Sequence, residues 1–518
     1  MGFPIDSKPD AVPVSPDESD HPEITRTLKA RSLASVFWLT LQNVATAALL
    51  VAIPAILAHL LTPDDLGLLE IALAFFGVAT LFMELGTGPA IIQRPAIDAG
   101  FLSTVFFVNV ATGAVFALVL AIGAESITGW LRMDPHLVSI LRWLGLTLLP
   151  LSTAIVPRNL LARRLAYRRI AMADAIAGSA ATIAAFSVLS RGLHVALTVG
   201  FVTYGTLVTI VLSSSARWRP SAAPDPRTIV PLLRFSLSVS GSKMLENLSL
   251  QNDRFLIGRY LGAAAVGLFG LARTIVRVPL RYLLNVSDEV LLSGLASLQS
   301  DRAYARQYYL AALRTELAIL GPAVVFAAVF AFEFSRLLFG PSWDRAAVIA
   351  QLLAFSAWRN ITGHTTGSVL LSHGRPDLQL RWTTCALLLS LTYFFVGRPW
   401  GIEGVVTATA ILDMTGWTIR HTMANRLLDL TWGQFARALS PLWLAHAIFL
   451  VVMVGIRYAI VGFVPGAWER VALGLPLGLM AYLVILRVVM PGWLSTLRRG
   501  TVESVSHGLA RPVIAPRA

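Results

Sequence analysis

Charge is scarce in this chain of 518 residues: Asp, Glu, Lys and Arg make up 14% of it, against about a quarter in a soluble domain. With 56% hydrophobic residues and a mean hydropathy of +0.68, that scarcity excludes an ordinary soluble protein. Lysine is nearly absent, with Lys8, Lys29 and Lys243 the only three among 42 basic residues. The single cysteine, Cys385, excludes an intrachain disulfide. There is no GxxxxGK[ST] loop for a nucleotide, no HExxH, and the histidines lack metal-ligand spacing. The predicted outer loops are too short to fold an extramembrane catalytic domain. An enzyme, a metal and a cofactor are therefore not expected. The first 30 residues lack the basic-then-apolar order of a cleaved signal peptide. They read as a disordered tail, with the first span serving as an uncleaved anchor.

What the chain has instead is a succession of apolar runs, each able to cross about 30 Å of hydrocarbon. Fourteen spans are predicted, at 33–60, 66–88, 101–123, 135–156, 171–190, 194–213, 235–257, 265–287, 313–331, 346–368, 383–397, 405–421, 440–462 and 471–490. The fold class expected is thus an all-α polytopic membrane protein. The longest polar break, residues 214–234, is rich in Arg and Pro and separates two halves. Fourteen spans put both termini on one side. On that side 26 Lys or Arg fall in tails and loops, while the opposite side has seven: Arg132, Arg191, Arg259, Arg336, Arg345, Arg398 and Arg470. The positive-inside rule makes the terminal side cytoplasmic. Orientation accounts for the net charge of +13 without nucleic acid.

Laid on itself at an offset of 200 residues, the chain aligns LTPDDLGLLEIA (61–72) with LGAAAVGLFGLA (261–272). Leu61, Gly67, Leu68 and Ala72 match Leu261, Gly267, Leu268 and Ala272. The offset equals six spans, an even number, so the halves enter the membrane in the same direction. Parallel repeats about an axis along the membrane normal bind substrate between them and suit alternating access.

The polar residues inside spans mark where that substrate would sit. Residues 233–272 are long enough to cross a bilayer, yet on a helix Ser240, Lys243, Asn247, Gln251 and Arg254 fall on one face within roughly 80°. Each charge at the bilayer centre costs at least about 2.5–3.5 kcal/mol, so this stripe faces protein or a wet cavity. The eighth span adds Arg273, Arg277 and Arg281 at four-residue steps on one face, roughly 10, 16 and 22 Å deep at 1.5 Å per residue. Arginine forks bind phosphate bidentately, so this ladder is read as a cationic lining for an anionic headgroup. The structural alternative pairs these arginines with acids such as Asp253, Asp288 and Glu289. Arg142, Arg359 and Asp413 are also intramembrane, and Asp413 is a candidate proton or cation coupling site. Glu84, Asp174 and Glu316 fall near cytoplasmic span ends and are expected to be interfacial.

Four stretches carry a family resemblance: ELGTGPAIIQRP (84–95) followed by TVFFVNV (104–110), PRNLLARRLAYRRIAM (157–172), QNDRFLIGRYLGAAAVGLFGLAR (251–273) and LFGPSWDRAAV (338–348). With the span count, they make nearly the whole chain resemble the polysaccharide and O-antigen flippases of the multidrug/oligosaccharidyl-lipid/polysaccharide exporter superfamily. The likeness is strongest to the exopolysaccharide or colanic-acid type. The resemblance implies two six-helix lobes, 33–213 and 235–421, joined by a cytoplasmic linker at 214–234. Helices 13 and 14 (440–490) lie outside them, and the cytoplasmic tails are 1–32 and 491–518. It also implies translocation of an undecaprenyl-diphosphate-linked oligosaccharide across the bacterial inner membrane, for cell-surface polysaccharide such as exopolysaccharide or lipopolysaccharide. The partners are that lipid-linked substrate, membrane lipids and other polysaccharide-assembly proteins. On this reading Lys243, Arg254, Arg273, Arg277 and Arg281 hold the diphosphate, and Asn247, Gln251 and Asn43 meet sugar hydroxyls. The rival expectations are a drug or organic-cation exporter of the same superfamily, and a membrane glycosyltransferase or polymerase.

Overall fold

The computed structural model describes residues 48–84, 87–94, 97–221, 223–298 and 301–491. Among the described residues the regular elements are all helical. They begin with α1 (Ala48–Ala58), α2 (Pro63–Glu84), α3 (Thr87–Gln93), α4 (Ala99–Leu131), α5 (His136–Arg163), α6 (Tyr167–Ser187) and α7 (Leu193–Ala216). The chain continues with α8 (Pro226–Leu261), α9 (Ala263–Ser297), α10 (Arg302–Val329), α11 (Ala331–Leu338), α12 (Asp344–His364) and α13 (Thr366–Ser372). It ends with α14 (Pro376–Gly397), α15 (Gly401–Leu427), α16 (Trp432–Phe463) and α17 (Ala467–Val489). Among the described residues the predicted spans from the second onward fall on the longer helices, while most of the first (33–60) lies outside them and its described part is the short α1; α3, α11 and α13 are short additions. Among the described residues, nine segments are long and apolar enough to cross a membrane by length and composition, one of them comprising both α14 and α15. The helices α8, α9 and α12 fall outside that set. They are the ones that carry Asp253, Arg254, Arg273, Arg277 and Arg359, and polar content of that kind belongs against protein.

Packing follows two groups. In the first, α5 lies against α4 and α7, α6 against α7, and α2 against α4 and α5. Ala173 and Ala177, four apart on α6, are fully buried, and such small side chains let helix backbones approach in a bilayer. In the second, α12 lies against α9, α10 and α15, α14 against α15, and α16 against α10 and α17. The seam between the groups is made by α2 on α9 and by α8, which touches α2, α3 and α4 on one side and α9, α14 and α15 on the other. The polar break at 214–234 is largely helical: α7 reaches Ala216, and α8 begins at Pro226. Asp225 caps α8 by accepting a hydrogen bond from the Arg227 N–H at 3.0 Å, and proline suits the first helical position.

The basic link before α6 does structural work besides orienting the chain. Arg163 donates to the carbonyls of Ile91 (2.7 Å), Ile92 (3.2 Å) and Arg94 (2.6 Å), at the end of α3. Arg164 and Arg169 reach the Ala216 and Ser215 carbonyls at the end of α7. The last carbonyls of a helix have no intrahelical donor, and a guanidinium supplies several donors at once.

The last two helices are tied to the second group through His446. The Trp358 indole donates to His446 Nδ1 at 3.2 Å, and His446 Nε2 lies 3.1 Å from the Tyr482 hydroxyl. Tyr482 in turn donates to the Ala318 carbonyl at 2.9 Å. Indole is a donor only, so Nδ1 accepts and Nε2 carries the proton: a neutral imidazole satisfied at both nitrogens. Gly321 makes room for the ring, since a Cβ there would lie 2.4 Å from its Cε1. His446→Leu strands the half-buried Trp358 N–H and is expected to cost about 1–3 kcal/mol, read as a lower melting temperature in detergent.

Outside the spans, Arg336 pairs with Asp344 at 2.6 Å and Arg345 with Glu403 at 2.6 Å. The guanidinium hydrogen bonds hold both carboxyls below their usual range. A depressed folded-state pKa contributes stability at neutral pH that is lost as pH falls through it. Amide-exchange protection of the α11–α12 turn is therefore expected to drop progressively below about pH 4. The effect is small, because both pairs are largely solvated.

Candidate functional site

The α2–α9 seam begins with two helices crossing near their N-termini. A Cβ on Gly67 would lie 1.9 Å from the Ala263 carbonyl oxygen, and one on Gly267 would lie 2.3 Å from the Pro63 oxygen. The Asp64 carboxylate accepts from the Ala264 N–H at 3.1 Å, an anion at a helix N-terminus. These contacts join residues about 200 apart and are reciprocal, Gly67 meeting Ala263 while their counterparts at the 200-residue offset, Gly267 and Pro63, meet each other, as at a two-fold axis. The crossing lies inside the stretch that the sequence aligns with itself. The turns around it come together as well. Asp64, Arg132, His136, His194 and Gly262, from four separate connections, line one polar cavity of about 550 Å³.

Deeper along the seam lie the charges. Glu70 on α2 faces α9 at Gly270, where a Cβ would come within 2.7 Å of the Glu70 Cδ. Its carboxylate pairs with Arg254 Nε at 2.7 Å, with side chains only 16% and 14% exposed. Arg254 also donates to Gln251 Oε1, and the Gln251 amide rests over Gly77 of α2. Arg273 is within electrostatic reach of Arg254, Glu70, Arg277 and Asp253. Arg277 donates to Ser356 Oγ at 3.4 Å. It also lines a small cavity with Asp253, Ser390 and Thr409, where Asn252 donates to Ser390 at 3.3 Å. On the far side, Arg359 pairs with Asp413 and donates to the Ala410 carbonyl at 2.9 Å.

The structure therefore brings Gln251, Arg254, Arg273 and Arg277 together, with Asn247 one turn from Gln251 on α8. Arg281 stands apart, exposed. Lys243 lies on α8, its side chain outside the described residues, as are Asn43 and the side chains of Asp288 and Glu289. Asp413 sits in the Arg359 pair, so a coupling role there requires a proton or cation to displace a guanidinium. Glu316 is buried, 6% exposed, near Tyr309. Asp174 pairs with Arg158, and Arg142 with Glu125 at 2.7 Å.

Sequence reasoning missed Glu70. Its signal was present: the only acid in α2 between Asp65 and Glu84, inside the aligned stretch, opposite a glycine 200 residues on. It changes the chemistry, because the three arginines Arg254, Arg273 and Arg277 are not a bare ladder. Asp253 and Glu70 offset two of the charges, leaving a net of one positive. Such a site attracts an anion and must release its own carboxylates to bind a multiply charged one.

A family model described as polysaccharide biosynthesis protein matches residues 56–348. Teichuronic acid biosynthesis protein TuaB of Bacillus subtilis (strain 168) is 23% identical over 434 residues, covering 81% of this chain and 88% of the relative. Lipopolysaccharide biosynthesis protein WzxC of Escherichia coli (strain K12) is 23% identical over 443 residues, covering 84% and 88%. Among solved structures, the lipid II flippase MurJ in an inward closed conformation superposes with a TM-score of 0.72 at 12% identity, over 87% of this chain and 98% of that one. At that identity the likeness is one of fold, and it is a fold of membrane helices. By its sequence the chain belongs to the polysaccharide biosynthesis protein family.

Proposed function

We propose that this protein is a flippase that carries a lipid-linked oligosaccharide from the cytoplasmic to the outer face of the bacterial inner membrane, for cell-surface polysaccharide. The observation that carries the reading is the cluster of Arg254, Arg273 and Arg277 at the seam between two helix groups. Half-buried guanidinium forks at a lobe boundary fit a diphosphate that must cross the bilayer. The names of TuaB and WzxC as polysaccharide biosynthesis proteins, and MurJ as a lipid II flippase, support the same direction. The substrate proposed is an undecaprenyl-diphosphate repeat unit. Asn247, Gln251 and Asn43 would meet its sugar hydroxyls, and Lys243 and Arg281 would extend the cationic path. Lobes of residues 33–213 and 235–421 rock about the seam, and the α1–α2 and α8–α9 turns face outward. The orientation rests on the excess of basic residues on the side of the termini. The protein is a transporter, and its work is binding and conformational exchange.

The test is translocation itself. Vesicles containing the purified protein should move a fluorescent polyprenyl-diphosphate oligosaccharide between leaflets, and a deletion strain should accumulate the lipid-linked intermediate on the cytoplasmic face. Vesicles that move an organic cation but not the lipid-linked sugar would overturn the proposal.

A further inference from the structure

We infer that Glu70 and Arg254 form a latch on the outer end of the seam, which the diphosphate of the substrate releases by taking the arginine from the carboxylate. This deepens the headgroup reading above and rests on it.

Arg254 belongs to two structures at once. Through Glu70 it joins α8 to α2, one turn below the point where Gly67 meets Ala263 and Gly267 meets Pro63. Through its reach to Arg273 and Asp253 it belongs to the cationic cluster. Other ties at the same end among the described residues include a helix cap from Asp64 to Ala264 and a hydrogen bond from the Trp343 indole to the Ala58 carbonyl. Neither involves a residue of the cationic cluster. Of these contacts, the Glu70–Arg254 pair is the one that an anion in the cavity can compete for.

The pair is built to be exchanged. Its atoms are 2.7 Å apart, yet among the described residues neither Glu70 Oε2 nor Arg254 Nε completes an aligned hydrogen bond. A diphosphate offers more charge than one carboxylate and several acceptor oxygens. It also engages Arg273, which lies within reach of Glu70. Once Arg254 turns to the diphosphate, Glu70 is left against Gly270 and an apolar cavity lined by Leu66, Leu69, Leu73, Phe76 and Leu271. A buried carboxylate without its counter-charge is costly. Hydrating it requires α2 to part from α9, and that parting opens the outer end. The empty protein stays shut outside and the loaded one opens, because the ligand binds the open state more tightly than the closed one.

The test follows outer-end opening and diphosphate binding separately. In full-length protein carrying Cys385→Ser, a Leu68→Cys probe sits at the crossing, 6% exposed before substitution, and an impermeant maleimide reads its accessibility in vesicles. Farnesyl diphosphate should raise the labelling rate about tenfold or more, while farnesol should not. Glu70→Gln should label fast without ligand and respond no further. The exchange Glu70→Arg with Arg254→Glu should restore slow labelling and lose the response, which keeps the test readable if Glu70→Gln folds poorly. If farnesyl diphosphate binds at equilibrium but labelling does not change, or if Glu70→Gln labels as slowly as its parent, the latch is wrong and the headgroup reading stands. If farnesyl diphosphate does not bind, and Arg273→Ala with Arg277→Ala changes nothing, the headgroup reading falls and the latch with it.

Discussion

Replacing Arg273 and Arg277 together with alanine is expected to abolish polysaccharide export while the protein remains in the membrane. The two side chains lie one turn apart on α9, with Asp253 within reach of both. Their loss turns the cluster from a net of one positive charge to one negative, with Arg254 left among Glu70 and Asp253. An anionic headgroup then meets repulsion where it met attraction. Truncating one member of a buried charge pair costs about 2–5 kcal/mol, and about 1.4 kcal/mol is a factor of ten in affinity, so binding should fall at least a hundredfold. Arg273→Lys with Arg277→Lys keeps the charge but loses the bidentate fork, and should keep a fraction of the export. Lipid-linked intermediates and membrane-protein abundance, measured together in a complemented deletion strain, check the result. Normal export from the alanine double variant would remove the cluster from the substrate path.

Methyl groups at Gly67 and Gly267 are expected to have an equally large effect by an entirely different route. Each added Cβ would meet the carbonyl of the opposing helix, at 1.9 Å from Ala263 and 2.3 Å from Pro63, and a backbone has no rotamer with which to yield. Alanine is a better helix former than glycine by about 1 kcal/mol, so any loss arises at the crossing and not within α2 or α9. Overpacking costs about 1–3 kcal/mol per site. The double variant should therefore shift the outer end toward the open state by about a hundredfold, each single variant less. Cysteines at Asp64 and Ala264 in the Cys385→Ser background read this directly. They should cross-link readily in the parent, whose Asp64 side chain reaches the Ala264 N–H, and slowly in the double glycine variant. Equal cross-linking would show that the crossing tolerates separation.

Much of this was legible in the chain itself, for reasons that can be named. Apolar length reports a membrane helix almost without tertiary context, because lipid offers no partner for backbone or charge. That is why the predicted spans within the described residues fall on helices, and why two of the three helices too polar for lipid, α8 and α9, lie at the seam. The self-alignment at 200 residues was a weak signal by identities alone. Its matched glycines stand where two backbones touch, a position at which only hydrogen fits. Four-residue spacing placed Arg273 and Arg277 on one face because α-helical periodicity is local.

Pairing was not legible, because it joins residues far apart in the chain. Nothing around Glu70 says that Arg254 lies 2.7 Å away, or that Asp413 spends its charge on Arg359. Nothing local tells that Arg281, one turn beyond Arg277, is exposed. The basic link before α6 likewise counted only as charge until its arginines were found on the terminal carbonyls of α3 and α7. A helical membrane protein with a cationic seventh and eighth span and a duplicated crossing follows from the order of residues alone, because hydropathy and helical period act over neighbouring residues. Which charges answer which emerges in three dimensions alone, since a charge buried in a bilayer must find its partner across the fold.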